Sequence, residues 1–281
     1  NDKKYFNQKS KITIKDMLAH ASGLPAFKQY YKEEKTRELV LESIYDTVPI
    51  KSNRDTTIYS DVGAIILGEI VEKISGLPLN VFADSMIFKP LGMGTTFFNP
   101  PSNKMRRIVP TEFKPDGTIV HGYVHDENAY SLGGVAGHAG LFSTAKDLAV
   151  FSQMMLNDGL YGWKRIFKTE TVNEFTTKAN VVDGSSRLLG WDSPGGYASG
   201  GIYLSDNSFG HTGFTGTSMW IDPDQGIIVI LLTNAVHPNR KNKSPKYYDW
   251  RQRIHSAVYE SLSIINKNPN LKLRPRWEEG E

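Results

Sequence analysis

Apolar side chains recur at helical spacing through Val62–Ile74, where Ile65, Ile66, Ile70, Val71 and Ile74 share one face and Glu69 and Lys73 sit four apart. Gly76 follows as a stop, so the spacing predicts a helix that ends there. Shorter helices are expected over Ile12–His20, with Thr13 as N-cap and Asp16 three residues on, and over Lys32–Tyr45. Another covers Leu79–Ile87 and runs into the turn-rich KPLGMGTT. STAKDL from Ser143 reads as the capped start of a helix reaching about Asn157, and Thr169–Lys178 as one more. Residues 99–140 have little periodicity and many Gly, Pro and His, the kind of long irregular segment that lines a site.

The C-terminal third changes period. Gly201–Ser205, Ser208–His211, Thr217–Ile221 and Ile227–Leu232 are β-rich and separated by DN, TGFTG and DPDQG, which predicts an antiparallel meander. Ile227–Leu232 is apolar throughout, so it is expected to be central and covered on both faces. Tyr247–Ile265 is the expected covering helix, and NKNPNLKLRPRWEEGE after it has no core pattern. The fold class is α+β: a mainly antiparallel sheet flanked by helices, plus an α-rich lobe. One domain is expected over 1–265, its α-rich lobe at about 12–195 and its sheet and last helix at about 196–265, with an extended tail at 266–281.

Composition narrows the function classes. With 39% hydrophobic and 22% charged residues in 281, the chain can bury a core, and disorder and coiled coil are excluded. Lys+Arg 33 against Asp+Glu 30 leaves +3, too small an excess to point to nucleic acid or an anionic membrane. Cysteine is absent, which removes disulfides, thiolate metal sites and cysteine nucleophiles. No apolar run approaches the roughly 18 residues of a membrane span, and the polar start NDKKYFNQKSK is not a signal peptide. His121 and His125 lie four apart before Asp126-Glu127, but the Gly and β-branched residues around them do not make a helix, so no metal site and no cofactor are expected. His20 reads as a hydrogen-bonded structural residue and Lys241–Lys246 as a solvated basic loop. The aromatic residues Tyr30, Tyr31, Trp191, Trp220 and Trp250 read as core or rim packing.

Three short stretches carry candidate chemistry: Tyr59-Ser60-Asp61, Gly137-His138-Ala139-Gly140-Leu141-Phe142-Ser143, and His211-Thr212-Gly213 with its extension FTGTSMWIDP. Singly, each fits packing or a turn. In order, and set within ITIKDMLAHASGLP, TIYSDVGAIILGEIVEKISGLPL, IFKPLGMGTTFF, GLFSTAKDLAVF and GHTGFTGTSMWIDPDQGIIVILLTN, they change the picture. The chain resembles the serine β-lactamase and penicillin-recognising hydrolase family, on the branch of class C β-lactamases, DD-peptidases and β-lactamase-like esterases.

The resemblance implies roles for named residues. The family's Tyr-x-Asn falls on Tyr59-Ser60-Asp61, which makes Tyr59 the phenolic base or proton relay and puts Asp61 where an Asn usually binds the substrate amide. The Lys-Thr-Gly motif falls on His211-Thr212-Gly213, and the backbone N–H of Phe214 matches an oxyanion-hole donor. A phenol ionises near pH 10 unless cations favour the phenolate, and an imidazole in place of a lysine gives less help. Asp61 adds negative charge beside it. Both departures argue against efficient β-lactam hydrolysis and suit an ester or peptide-like amide.

The family's nucleophile lies in Ser-x-x-Lys upstream of the ITIKDMLAHASGLP block. Here the sole Ser-x-x-Lys is Ser143-Thr144-Ala145-Lys146, where the family has a helix start, so Ser143 reads as a cap. The chain is therefore expected to be the C-terminal part of a hydrolase domain, without the nucleophile helix and first strands. It is expected to be inactive alone and completed by an upstream segment or second chain. The parent protein reads as a periplasmic or cell-envelope serine hydrolase acting on a small-molecule or peptidoglycan-like substrate, with the cleft between Tyr59 and His211. The alternative is a non-catalytic binding module that keeps the cleft.

Overall fold

The computed structural model describes residues 3–32, 36–243 and 245–275. The chain divides into two compact units, one made of residues 1–107, 122–143 and 178–190, the other of residues 108–121, 144–177 and 191–281.

The first unit is mainly helical, with α1 (Lys3–Lys9), α2 (Ile14–Leu18), α3 (Arg37–Tyr45), α4 (Asp61–Ser75), α5 (Leu79–Ala83), α6 (Lys89–Leu91) and α7 (Glu127–Ser131). A small antiparallel ribbon pairs β1 (Phe97–Phe98) with β2 (Leu141–Phe142). The expected cap of α2 is present as a full capping box, Thr13 and Asp16 each bonding the other's backbone N–H. Helix α4 starts one residue earlier than the apolar pattern suggests, because the Ser60 hydroxyl caps it by accepting the Gly63 N–H, and Gly76 ends it in the left-handed region. Of the expected Lys32–Tyr45 helix, residues 33–35 lie outside the described residues and the helix proper begins after its cap at Thr36. Leu79–Ile87 continues through a π turn over Asp84–Phe88 into α6. The core of this unit joins Tyr30, Val40, Ile44, Val62 and Ile65 to Val124, Ala129 and Leu132. Part of the irregular 99–140 segment is thus buried.

The second unit contains α8 (Ala145–Leu156), the pair β3 (Leu160–Tyr161) and β4 (Lys164–Arg165), α9 (Thr169–Thr176), a sheet of β5 (Phe209–Thr212), β6 (Ser218–Asp222) and β7 (Ile227–Leu231), and α10 (Pro245–Ser261). The cap of α8 is Thr144, which accepts the Asp147 N–H, and not Ser143, whose hydroxyl pairs with that of Thr96 in the first unit's chain segments. Adjacent Ser and Thr cap equally well, so the sequence was off by one position.

The meander is antiparallel, in the order β5-β6-β7. Among the described residues β6 is therefore the central strand, and β7, expected in the centre, lies at an edge. Its apolar run reflects covered faces instead. Strand side chains alternate between faces. On β6 the Ser218 hydroxyl meets His255 and Asp222 meets the Tyr259 hydroxyl, both on α10. Met219, between them, meets Ser152 on α8. The two helices therefore cover opposite faces of the sheet.

The expected strand at Gly201–Ser205 is not one. Ile202, Tyr203 and Leu204 are buried as a strand's side chains would be, but their backbone bonds mostly to side chains, with the Asn268 N–H donating to the Ile202 carbonyl. The Ile202 N–H donates to Ser256, the Ser205 N–H to Asp222, and Asn268 donates to the Leu204 carbonyl. The segment after α10 is extended but packed: Leu271 is buried against Trp220 and Tyr259, and Lys272 N–H bonds the Gly196 carbonyl. Residues 276–281 of the expected tail lie outside the described residues. No helix among the described residues is long and apolar enough to cross a membrane.

Candidate functional site

Tyr59 stands directly before the cap of α4, and its seat is built from several distant segments of the first unit. His20 takes a positive φ of 53° at the end of α2, unusual for a residue with a side chain. That conformation turns its ring toward the 58–60 segment: the Ser60 N–H donates to Nδ1 at 3.1 Å, and the Ile58 N–H donates to the His20 carbonyl at 2.8 Å. With Nδ1 accepting, the neutral ring carries its proton on Nε2. The His20 and Tyr59 ring centroids are 4.3 Å apart. The Ser60 hydroxyl also donates to the Pro25 carbonyl at 2.7 Å, and the Asp61 N–H to the Ala26 carbonyl at 2.9 Å. Loop 20–26 thereby fixes the backbone on both sides of the phenol, which itself remains 42% exposed. The structural reading of His20 holds, with a consequence for the site: it is the ring against which Tyr59 rests.

Asp61 opens α4 beside a second cluster. Gly137 lies flat on the helix, where a Cβ would come within 2.1 Å of the Ala64 carbonyl oxygen. Only glycine permits that approach, and the loop it carries brings His138 to Asp61. The His138 side chain is almost fully buried, and its Nε2 donates to Asp126 at 2.8 Å. Asp126 also caps α7 by accepting the Ala129 N–H at 2.8 Å. Burial alone would raise the Asp126 carboxyl, but the His138 bond and charge, with two backbone N–H groups, hold it below the usual carboxylate range. Asp61 is moved the other way: burial pushes it up, the nearby Asp126 charge adds to the rise, and His138 opposes it.

A carboxyl raised on folding stabilises the fold below its unfolded pKa, and that contribution fades as pH rises through the folded one. The stability difference between wild type and Asp61→Asn should therefore be more favourable to the wild type at pH 4 than at pH 7. Urea midpoints at both pH values check this; a difference that moves the opposite way contradicts it.

The second motif lies on the second unit's sheet. His211 and Thr212 end β5, paired across from Met219 and Ser218, and the His211 Nδ1 lies 2.8 Å from the Thr212 carbonyl oxygen. Gly213 closes the turn, its N–H donating to the Thr217 carbonyl at 2.8 Å, and a Cβ there would meet Thr217 Oγ1 at 2.2 Å. Phe214 follows, 58% exposed. Lys243 donates from Nζ to the Phe214 carbonyl at 2.6 Å and sits 4.5 Å from its ring centroid. Burial and the Arg251 charge hold its ammonium below the ordinary lysine range. This corrects the expectation of a merely solvated basic loop at Lys241–Lys246, within which Ser244 lies outside the described residues. Of the residues singled out in the sequence, Tyr59 and Asp61 come together in the first unit, and His211, Thr212, Gly213 and Phe214 in the second.

Comparison with known proteins decides the ancestry. The β-lactamase family profile matches residues 3–253. The chain belongs to the β-lactamase family. Among relatives of this β-lactamase-family chain is an Escherichia coli (strain K12) protein provisionally named a D-alanyl-D-alanine carboxypeptidase, 38% identical over 258 residues, covering 82% of this chain and 58% of the relative. A Bacillus subtilis (strain 168) protein named N-acetylmuramyl-L-alanine amidase is 37% identical over 289 residues, covering 90% of this chain and 65% of its own length. The chain thus spans less than two thirds of the length of these relatives. In structure it resembles a penicillin-binding protein homologue from Caulobacter crescentus, with a TM-score of 0.64 at 16% identity over 91% of this chain and 74% of that one. That likeness bears out the expected α+β fold of the family.

The sequence alone missed His20's contact with Tyr59, the His138–Asp126 pair, Arg187 and Lys243. A histidine in a Gly-Leu-Pro turn and the polar run HDENA signalled the first two. Arg187, whose guanidinium carbon lies 5.2 Å from the Tyr59 ring centroid, had no local signal, because the two are more than a hundred residues apart.

Proposed function

We propose that the protein is a serine hydrolase of the DD-peptidase and esterase type, forming an acyl-enzyme on D-amino-acid peptides or esters from the cell envelope. The observation that carries this is Tyr59, a half-exposed phenol on a backbone fixed by loop 20–26 at the start of α4. Tyr59 takes the proton of the attacking hydroxyl and returns it to the leaving group. His211, Thr212 and Gly213 form the wall for the substrate carboxylate, and the Phe214 N–H stabilises the oxyanion. The nucleophilic Ser and its Lys come from outside these 281 residues, consistent with a chain that spans 58% of its Escherichia coli relative. Ser143 stands where the family pattern has a helix start and not the nucleophile, and the Thr96 hydroxyl it pairs with is no base. Asp61, a carboxyl where an amide serves β-lactam recognition in the family pattern, favours esters and D-amino-acid peptides over β-lactams.

The test is turnover by the full-length protein of a D-alanyl-D-alanine peptide, a short-chain aryl ester and a chromogenic cephalosporin. Turnover of the peptide or ester, with the cephalosporin cleaved at least about tenfold more slowly in kcat/KM, is the expected result. Saturable binding of the peptide without turnover of any of the three identifies the alternative, a non-catalytic module.

A further inference from the structure

We propose that Arg187 is a positioning residue for the same reaction: its guanidinium supplies the fixed positive charge that holds Tyr59 ready as a phenolate, resting on the role of Tyr59 as proton acceptor proposed above. The guanidinium carbon lies 5.2 Å from the Tyr59 ring centroid, within the range over which a cation and an aromatic ring attract.

Arg187 is delivered by a stitched loop. The Ala179 N–H donates to the Arg187 carbonyl at 3.0 Å, and the Arg187 N–H donates to the Ser185 hydroxyl at 3.2 Å. The Thr57 hydroxyl, two residues before Tyr59, donates to the same Ser185 hydroxyl at 2.9 Å. The Gly190 N–H donates to the Leu18 carbonyl at 3.0 Å, at the end of α2 just before His20. The loop is therefore tied to both segments that seat the phenol, and it carries its charge to the ring with them.

The two groups against Tyr59 differ in kind. His20 accepts the Ser60 N–H at Nδ1, which engages that lone pair and suits a neutral ring. A guanidinium, by contrast, stays protonated at any working pH. In each cycle the phenolate oxygen takes the proton of the attacking hydroxyl as the new carbon–oxygen bond forms, then passes it to the departing group. The cycle begins and ends with phenolate, so a permanent cation beside the ring favours the competent form throughout. Asp61, on the next turn of chain, opposes this only when ionised, and its burial disfavours that state.

Two measurements on the full-length protein separate charge from shape. The first needs no turnover. The nucleophilic serine, located by its fluorophosphonate adduct, is replaced by alanine so that it does not compete; an aryl sulfonyl fluoride then sulfonylates phenolate oxygens, fluoride leaving, and peptide mass spectrometry gives the rate at Tyr59. Arg187→Met should label Tyr59 about tenfold more slowly than wild type, and Arg187→Lys should recover most of the rate. The second is turnover of the aryl ester: Arg187→Met should lose about tenfold in kcat with KM within about twofold. In Arg187→Gly, millimolar guanidinium should restore activity where sodium at equal ionic strength does not. Labelling of Arg187→Met at the wild-type rate overturns the proposal. So does Arg187→Lys failing as badly as Arg187→Met, which assigns the contact to shape alone. A protein that turns over no substrate yet shows the labelling pattern fails as a hydrolase while Arg187 keeps its effect on the phenol.

Discussion

Tyr59→Phe should lower the acylation rate of the full-length protein at least about tenfold, since positioned proton transfer is worth about 10²–10⁴-fold when fully lost, while leaving its thermal midpoint within about 2 °C. The ring is what packs: its face lies against His20 at 4.3 Å between centroids and near the Arg187 guanidinium at 5.2 Å, and phenylalanine keeps both contacts. The backbone on either side is fixed by Ile58, Ser60 and Asp61 through bonds that do not involve the side chain. The substitution therefore keeps these ring and backbone contacts and removes the hydroxyl that the proposed proton transfer uses. Stopped-flow acylation with the aryl ester, beside a melt of both proteins, checks it. Equal acylation rates assign Tyr59 to packing only.

The second large effect lies away from the site. His255, on α10, has no exposed surface, and its Nε2 lies 2.8 Å from the Ser218 hydroxyl on β6. A serine bonded to a histidine invites comparison with a nucleophile and its base, but both residues are sealed between helix and sheet, where no substrate reaches. Their effect is on stability. Burial, reinforced by the Arg251 charge, pushes the imidazole down from 6.5 to about 4. A depressed pKa gives stability that is present above the unfolded value and lost as pH falls toward the folded one, because the unfolded chain takes up a proton that the folded chain refuses. The interval from 6.5 to about 4 is worth ~3 kcal/mol at 1.36 kcal/mol per pH unit. Carboxylates also lose stability in acid, so the informative comparison is with His255→Gln. Urea unfolding should show wild-type stability falling by ~3 kcal/mol more than the variant's between pH 7 and pH 4. Parallel curves for the two proteins contradict a buried neutral imidazole at 255.

Much of this architecture was legible in the residues, and the parts that were not share a cause. Helix α4 could be read because its apolar face repeats and its ends carry Ser60 and Gly76, all local features. Strands β5 to β7 were legible for the same reason. Gly201–Ser205 was misread because burial and β-propensity say nothing of where backbone bonds go, and here Ser256, Asp222 and Asn268 take the place of a neighbouring strand. The apolar run of β7 was misplaced because coverage by α8 and α10 leaves the same imprint as a central position. At the proposed site, Tyr59 was singled out through its motif, whereas the contacts that its neighbours His20 and Arg187 make with it, and those of Asp126 and His138 beside Asp61, were not. Those contacts depend on turns of chain such as the left-handed His20 and the flat approach of Gly137 to α4, which only the folded structure displays.

Locating the covalently modified serine most directly decides whether this β-lactamase-family protein is a serine acyl-enzyme served by the phenol at the start of α4. The full-length protein, treated with a fluorophosphonate and digested for peptide mass spectrometry, should carry one adduct per chain, on a serine outside residues 1–281, formed at least about tenfold more slowly in Tyr59→Phe. An adduct on Ser143, or none at all, contradicts the account.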